Sequence, residues 1–167
     1  MREPFNQIKK RKDIIGAEIG VFRGFNALDI LRGLRPKMLY LVDPYLDYEC
    51  HGGREITGMS AAREAAHTRL APHAGNIRWL EESSAQASFE IPDDSLDFVY
   101  IDANHTYAHV LQDIELWTPK VKIGGLVAGH DFTGRAGVRR AVREFCQHLR
   151  FNLFRAKHGS DWWFFRS

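Results

Sequence analysis

The sequence predicts an α/β fold, with a mixed seven-stranded sheet, helices on both faces and an antiparallel strand pair at the C-terminal edge. Three observations carry this expectation. Short β-rich apolar runs alternate with longer stretches of helical period, the pattern of parallel strands joined by crossover helices. The alternation closes with two aromatic runs in succession, Arg150 to Ala156 and Trp162 to Arg166, separated by the turn-forming Lys157-His158-Gly159-Ser160-Asp161. A chain of 167 residues that is 44% hydrophobic and 26% charged can bury one core and has no room for a second, so residues 1–167 read as a single domain.

Ile14 to Ile19 reads as the first strand, ending at Gly20, after which Phe25, Leu28, Leu31 and Leu34 recur at helical spacing until Pro36 stops the helix. Met38 to Val42 is a second strand that ends on Asp43-Pro44. An irregular loop, Tyr45 to Gly58 with Gly52-Gly53 inside it, precedes a helix from about Ser60 to Leu70. Asn76 to Leu80 is a third strand, and Glu81 to Ser88 carries a short helix before the Pro92-Asp93-Asp94 turn. Leu96 to Ile101 is a buried fourth strand ending on Asp102. Val110, Ile114, Trp117 and Val121 repeat at i, i+4, i+7 and i+11, which lays a helix from Tyr107 to Thr118 on the sheet. Gly124-Gly125 turns the chain into a fifth strand, Leu126 to Gly129. The stretch Ala136 to Leu149 is amphipathic, with Val138, Val142, Phe145 and Leu149 inward and Arg139, Arg140 and Arg143 on a solvated face. In the last strand, one of Trp162 and Trp163 is expected in the core and the other in edge packing.

Lys+Arg 23 against Asp+Glu 21 gives a formal charge of +2, far from the basic excess that phosphate neutralisation requires, so nucleic acid is not an expected partner. The run Lys9-Lys10-Arg11-Lys12 lacks interleaved aromatics and reads as a solvated lead-in. Met1 to Asp13 has no apolar signal region and no stretch approaches the ~18 apolar residues of a span, so neither secretion nor a membrane is expected and the location reads as cytoplasmic. Cys50 and Cys146 stand in no metal or redox spacing, as reduced thiols do.

Ligands of open α/β sheets bind outside the carboxyl ends of the strands, where strand order reverses. Small, polar and acidic residues gather there: Gly20 to Gly24, Asp43, Ser83-Ser84, Asp102 to His105, and Gly129-His130-Asp131. The first turn has the spacing E-x-G-x-x-x-G (Glu18, Gly20, Gly24) rather than the G-x-G-x-x-G of a dinucleotide site. Its glycines let the backbone pass close to a ligand, and Glu18 suits a cationic amino group, directly or through water. Asp43, about 20 residues on, is placed to accept from a ribose diol. For both carboxylates, loop capping is the plain structural alternative. A positively charged nucleoside without a diphosphate fits both signals.

The segment from Glu18 to Ala27 resembles the first motif of the class I S-adenosylmethionine-dependent methyltransferases, in particular the small-molecule O-methyltransferases of the catechol type. The resemblance runs from Ile14 to the tail and includes the final strand pair, which implies a Rossmann-like methyltransferase fold. It implies S-adenosylmethionine as cofactor, with contacts from Glu18, Gly20, Phe22, Gly24, Asn26, Asp43, Ser83, Ser84 and Asp102. Within that set Asn26 would hold the methionine carboxylate and Ser84 would lie in the loop that edges the adenine. Tyr100 to Tyr107 and Gly125 to Phe132 are similar to bacterial methyltransferases that include relatives of sugar O-methyltransferases and cephalosporin-tailoring proteins. By the match to metal-dependent members of that set, Asp102, His130 and Asp131 would bind a divalent cation. The two carboxylates suit Mg²⁺, and His130 tilts the choice toward Mn²⁺, Fe²⁺ or Zn²⁺.

Methyl transfer from a sulfonium is an in-line displacement, so the protein aligns the reactants and removes a proton from the acceptor. Asp102, His105 and His130 are the catalytic candidates. His105 reads as a general base or as a loop-fixing histidine, and His130 as a metal ligand or as a side chain that orients Asp131. Asp47, Tyr48, Glu49 and His51 form either an acceptor-side lid or a solvated loop. The expected function is O-methylation of a small hydroxylated molecule, a sugar or metabolite, with help from a divalent metal. The alternative is an S-adenosylmethionine-binding regulatory or partner-dependent protein without turnover of its own, suggested by the short lead-in to the first strand. Acceptor recognition falls to the Tyr45 to Gly58 loop, the ends of strands four and five, or a neighbouring subunit of a homo-oligomer.

Overall fold

A computed structural model describes residues 1–50 and 54–167. In chain order the elements are β1 (Ile15–Ile19), α1 (Phe25–Leu34), β2 (Met38–Val42), β3 (Tyr48–Cys50), β4 (Arg54–Ile56), α2 (Met59–Leu70), β5 (Ile77–Leu80), α3 (Ser84–Glu90), β6 (Leu96–Ile101), α4 (Tyr107–Trp117), β7 (Val121–Gly129), α5 (Ala136–Leu149), β8 (Phe154–Arg155) and β9 (Trp162–Phe165). Seven strands form one sheet in the order β5-β2-β1-β6-β7-β9-β8, and β3 pairs with β4 in a separate hairpin. The pairs β5-β2, β2-β1, β1-β6 and β6-β7 are parallel, whereas β9 runs antiparallel to β7 and β8. The expected mixed sheet with its antiparallel end is therefore present.

Strand order reverses between β1 and β6, which opens a crevice at their carboxyl ends. Register brings the expected residues to that edge: Ile19 lies opposite both Val42 and Ile101, and Ile101 opposite Gly129. The ladder continues one residue further, with Gly20 N–H donating to Val42 O at 2.8 Å, Asp102 N–H to Ile19 O at 2.8 Å and His130 N–H to Ile101 O at 3.1 Å. Gly20, Asp43, Asp102 and His130 are thus neighbours on a rigid shelf.

Alternate side chains of the strands feed two cores. One face packs Ile19, Val99, Ile101, Val127 and Trp162 under Ala87, Ile114, Trp117, Val142 and Phe145 from α3, α4 and α5. The other packs Leu39, Leu41, Phe98, Tyr100, Ala128 and Trp163 under α1, α2 and the short 3-10 turn Glu3–Gln7. Trp163 is therefore core as well as Trp162, because β8 covers the edge of β9 and a second layer covers its other face.

The Lys9 to Lys12 run is exposed, as expected, and ahead of it Phe5 and Ile8 are wholly buried, each contributing roughly 1.5–3 kcal/mol of apolar burial. Four further expectations are corrected. The loop after β2 contains the β3–β4 hairpin. Gly124-Gly125 lies inside β7 beside a register irregularity, so it bulges the strand rather than starting it, and Gly124 takes φ +74° to do so. The helical stripes also shift: α1 buries Ala27, Ile30, Leu31 and Leu34 and leaves Phe25 exposed under Arg69, while α5 buries Ala141 and Cys146 and leaves Leu149 exposed. Pro119 ends α4 early, so Val121 opens β7. No described helix is long and apolar enough to cross a membrane.

Candidate active site

A cleft of about 1120 Å³ opens along the carboxyl ends of β1, β2, β5 and β6, and its lining includes Glu18, Asn26, Asp43, Ser84, Asp102 and His105. The first turn forms its floor. Gly20 takes φ +88°, and a Cβ there would stand 2.3 Å from Asp102 O, so only glycine lets the end of β1 lie against the end of β6. Phe22 and Gly24 follow in the left-handed region at φ +49° and +73°, which turns the chain into α1.

Asp43 holds this turn. Its Oδ2 accepts from Val21 N–H at 3.0 Å and Phe22 N–H at 2.8 Å, and its Oδ1 from Tyr45 N–H at 2.9 Å. The carboxylate is buried, yet it lines the cleft, so it both caps the loops and retains lone pairs for a ligand. Glu18 is buried too. Its Oε1 accepts from Asn26 Nδ2 at 2.8 Å while Oε2 has no hydrogen-bond partner. Desolvation pushes its carboxyl up to about 8, against the favourable Asn26 bond, so Glu18 carries a proton at neutral pH in this state.

At the far end of the cleft Ser83 caps α3, accepting from Gln86 N–H at 3.3 Å. Ser84 Oγ accepts from Trp117 Nε1 at 2.8 Å and bonds to Asp113, whose burial raises its carboxyl to about 6. Sequence reading passed over Asp113, because on α4 it falls among core positions Val110, Ile114 and Trp117.

The ends of β6 and β7 gather the chemistry. His105 Nε2 lies 2.9 Å from Asp131 Oδ2 and 3.5 Å from Asp102 Oδ1. His130 Nδ1 lies 3.4 Å from Asp131 Oδ1 and 3.9 Å from Asp102 Oδ1. Asp102, His105, His130 and Asp131 are thus one cluster. Among the described residues, Asp102, His105 and Asp131 offer three ligand atoms all within 4.8 Å of one another, and His130 stands beside them. His105 Nε2 is buried and makes no hydrogen bond, although it stands at ion-pair distance from Asp131. An imidazole nitrogen beside two carboxylates is a donor set that fits a divalent cation.

The loop that carries His105 is pinned. Asn104 Oδ1 accepts from Thr106 N–H at 3.0 Å, and Thr106 caps α4. A Cβ on Gly137 would stand 2.7 Å from His105 O, so this glycine admits the loop against α5. Asp131 is held at φ +61°.

One residue of the cleft carries no sequence signal at all. Arg2 reaches in from the buried Pro4-Phe5 anchor, donating from Nε to Asn26 Oδ1 at 2.9 Å and from Nη1 to Asp161 Oδ1 at 3.1 Å. Its Nη2 lies 3.7 Å from Asp102 Oδ2, and the guanidinium sits 5.3 Å from the centre of the Tyr100 ring. Only tertiary packing of Phe5 on Phe98 and Tyr100 brings it there.

Beyond the first turn, Phe22 and Leu46 are exposed at the rim, with Tyr48, Ile56 and Met59 beside them. Asp47 Oδ1 accepts from Met59 N–H at 2.9 Å and so starts α2. The Glu49 side chain and His51 lie outside the described residues.

Comparison with known proteins agrees with this architecture. Residues 17–132 match the family model described as a methyltransferase domain. A protein of Acanthamoeba polyphaga mimivirus is 24% identical over 127 residues, 74% of this chain, and the chain spans about half (53%) of that relative's length. The O-methyltransferase NovP superposes with a TM-score of 0.68 at 18% identity, covering 99% of this chain and 76% of NovP. A Streptococcus mutans protein solved in complex with S-adenosylhomocysteine superposes with a TM-score of 0.67 at 12% identity, covering 98% of this chain and 97% of its own. With the family model spanning most of the sheet and both carboxylate groups of the cleft, the chain belongs to the methyltransferase-domain family and has the class I S-adenosylmethionine-dependent methyltransferase fold.

Proposed function

We propose that this domain binds S-adenosylmethionine in the cleft and directs its methyl group to a hydroxyl oxygen of a small molecule, with a divalent cation at Asp102, His105 and Asp131. The observation that carries this reading is the convergence of His105 Nε2 with the Asp102 and Asp131 carboxylates beside the glycine turn of the cleft floor. When bound, the cofactor would supply an electrophilic methyl carbon, and a cation held by Asp102, His105 and Asp131 would lower the acceptor's pKa and fix its orientation.

The chain's own residues do the rest. Glu18 meets the ligand's amino group, and Asp43 meets its ribose hydroxyls while keeping the Gly20 to Gly24 turn in place. Ser83, Ser84 and Asp113 border the adenine end. His130, beside Asp102 and Asp131, would receive the acceptor's proton. The apolar rim at Phe22, Leu46 and Met59, with a formal charge of only +2, favours a small molecule over RNA as acceptor.

The test has two parts. Titration calorimetry with S-adenosylmethionine and S-adenosylhomocysteine should show binding, and S-adenosylhomocysteine release should be followed over a panel of hydroxylated small molecules with Mg²⁺, Mn²⁺ or chelator. Turnover that chelator abolishes is the expected result. Turnover indifferent to chelator removes the cation from the proposal, and cofactor binding with no turnover on the panel favours a regulatory protein.

A further inference from the structure

We propose that Arg2 binds the carboxylate of the cofactor's amino-acid end, so that Arg2 and Glu18, joined through Asn26, read that end as a zwitterion. This rests on the cofactor reading above.

Asn26 is the position that the family resemblance assigns to the carboxylate, but here both ends of its carboxamide are engaged: Nδ2 donates to Glu18 and Oδ1 accepts from Arg2. It acts by orienting its two neighbours. One carboxamide holding an acid on one side and a guanidinium on the other sets them at a spacing that an α-amino acid can bridge, because its ammonium and carboxylate share a single carbon.

The guanidinium is suited to the task. Of its five N–H donors, one is given to Asn26 and one to Asp161. Nη2 points toward Asp102 from beyond hydrogen-bond reach, at 3.7 Å, and the side chain is about a quarter exposed (28%), so a ligand can reach these donors. A planar fork of this kind matches a carboxylate bidentately, which an amide cannot do.

Its position is also built. Phe5, three residues on, is wholly buried against Phe98 and Tyr100, Glu3 accepts from Lys157 N–H at 3.1 Å, and Asp161 is itself held by Tyr100 Oη at 2.6 Å. Arg2 therefore enters the cleft from a fixed anchor and needs no large search to meet a ligand.

The test compares S-adenosylhomocysteine with its decarboxylated analogue, which lacks only the carboxylate, by calorimetry on the wild type, Arg2→Ala and Arg2→Lys. The wild type should prefer S-adenosylhomocysteine by roughly 10- to 100-fold. Arg2→Ala should lose that preference, weakening S-adenosylhomocysteine by a similar factor and leaving the analogue within about threefold, with Arg2→Lys between. A wild type that binds both ligands alike overturns the proposal without any variant. So does Arg2→Ala weakening both ligands equally or neither. A wild type that binds neither ligand overturns the cofactor reading itself.

Discussion

The two halves of the cleft handle their carboxylates in opposite ways. At the β1–β2 end, Asp43 accepts from three backbone N–H groups, and the turn it holds is already in shape. At the β6–β7 end, Asp102 and Asp131 face two imidazoles, with His105 Nε2 lacking any hydrogen bond. Buried polar groups are normally satisfied, and those that are not mark a place where a ligand, ion or proton is expected. The difference teaches that the first half is held by backbone N–H groups of its own turn, whereas the second half gathers carboxylates and imidazoles that the backbone does not satisfy. Glu18 sits between them in character, one oxygen bonded and the other not.

The largest effect should come from the unsatisfied half. Asp131→Asn is expected to lower turnover on the order of 10²- to 10³-fold while leaving S-adenosylhomocysteine affinity within a few-fold. Any thermal stabilisation by Mn²⁺ should vanish in the same variant. Retention of that stabilisation would remove Asp131 from the cation site.

Glu18 supplies a pH test that joins the halves. Its carboxyl titrates near 8 in the folded chain and near 4.5 when unfolded. Below pH 4.5 it is protonated in both states and costs nothing. As pH rises from 4.5 toward 8 the unfolded chain ionises first, so folding is progressively disfavoured, on the order of 3 kcal/mol by pH 7. Glu18→Gln should therefore be more stable than wild type at pH 7, with the gap closing toward pH 4.5, and should bind S-adenosylhomocysteine more weakly. Equal stabilities across that range in urea melts would show that the group is not buried neutral. For the same reason, an ammonium docking on Glu18 should release a proton at pH 7, measurable by calorimetry in buffers of different ionisation enthalpy.

Asp43→Ala removes three hydrogen bonds at a buried position and leaves the turn amides unpaired, a loss of about 2 kcal/mol in unfolding free energy together with cofactor affinity. A variant that loses affinity with unchanged stability would mean the carboxylate serves the ligand alone. The smallest effect separates the two histidines. His105→Ala should weaken the cation by roughly 10- to 100-fold, and His130→Ala by less than fivefold, with the pH profile of turnover changing instead. The reverse ranking would return His130 to the ligand set.

Much of the first half was legible along the chain because its devices are local. Glycine spacing, the strand-end acids Glu18 and Asp43, and the helix cap at Ser83 stand where a strand ends or a helix begins, and those points are marked by the hydrophobic period around them, although Asp43 itself acts on Val21 and Phe22 more than twenty residues away. The cluster Asp102, His105, His130 and Asp131 was legible as two tips of adjacent strands, since parallel register brings Ile101 beside Gly129. Their order of approach was not, because which imidazole lies nearer the two carboxylates depends on how Asn104 and Thr106 pin one loop and how left-handed backbone tilts Asp131. The bond from Met59 N–H to Asp47, which also lines the cleft, was not legible for a similar reason: it depends on a hairpin that the polar, glycine-containing stretch after β2 does not announce.

By itself, then, the sequence determined the alternating strands and helices, the antiparallel end and the acidic strand tips, because hydrophobic period and strand-end position are properties of neighbouring residues. Tertiary structure alone decided the place of Arg2. A single arginine in a polar lead-in carries no periodicity, and it becomes part of the cleft only because Phe5 finds a site against Phe98 and Tyr100, more than ninety residues away, and carries the guanidinium with it.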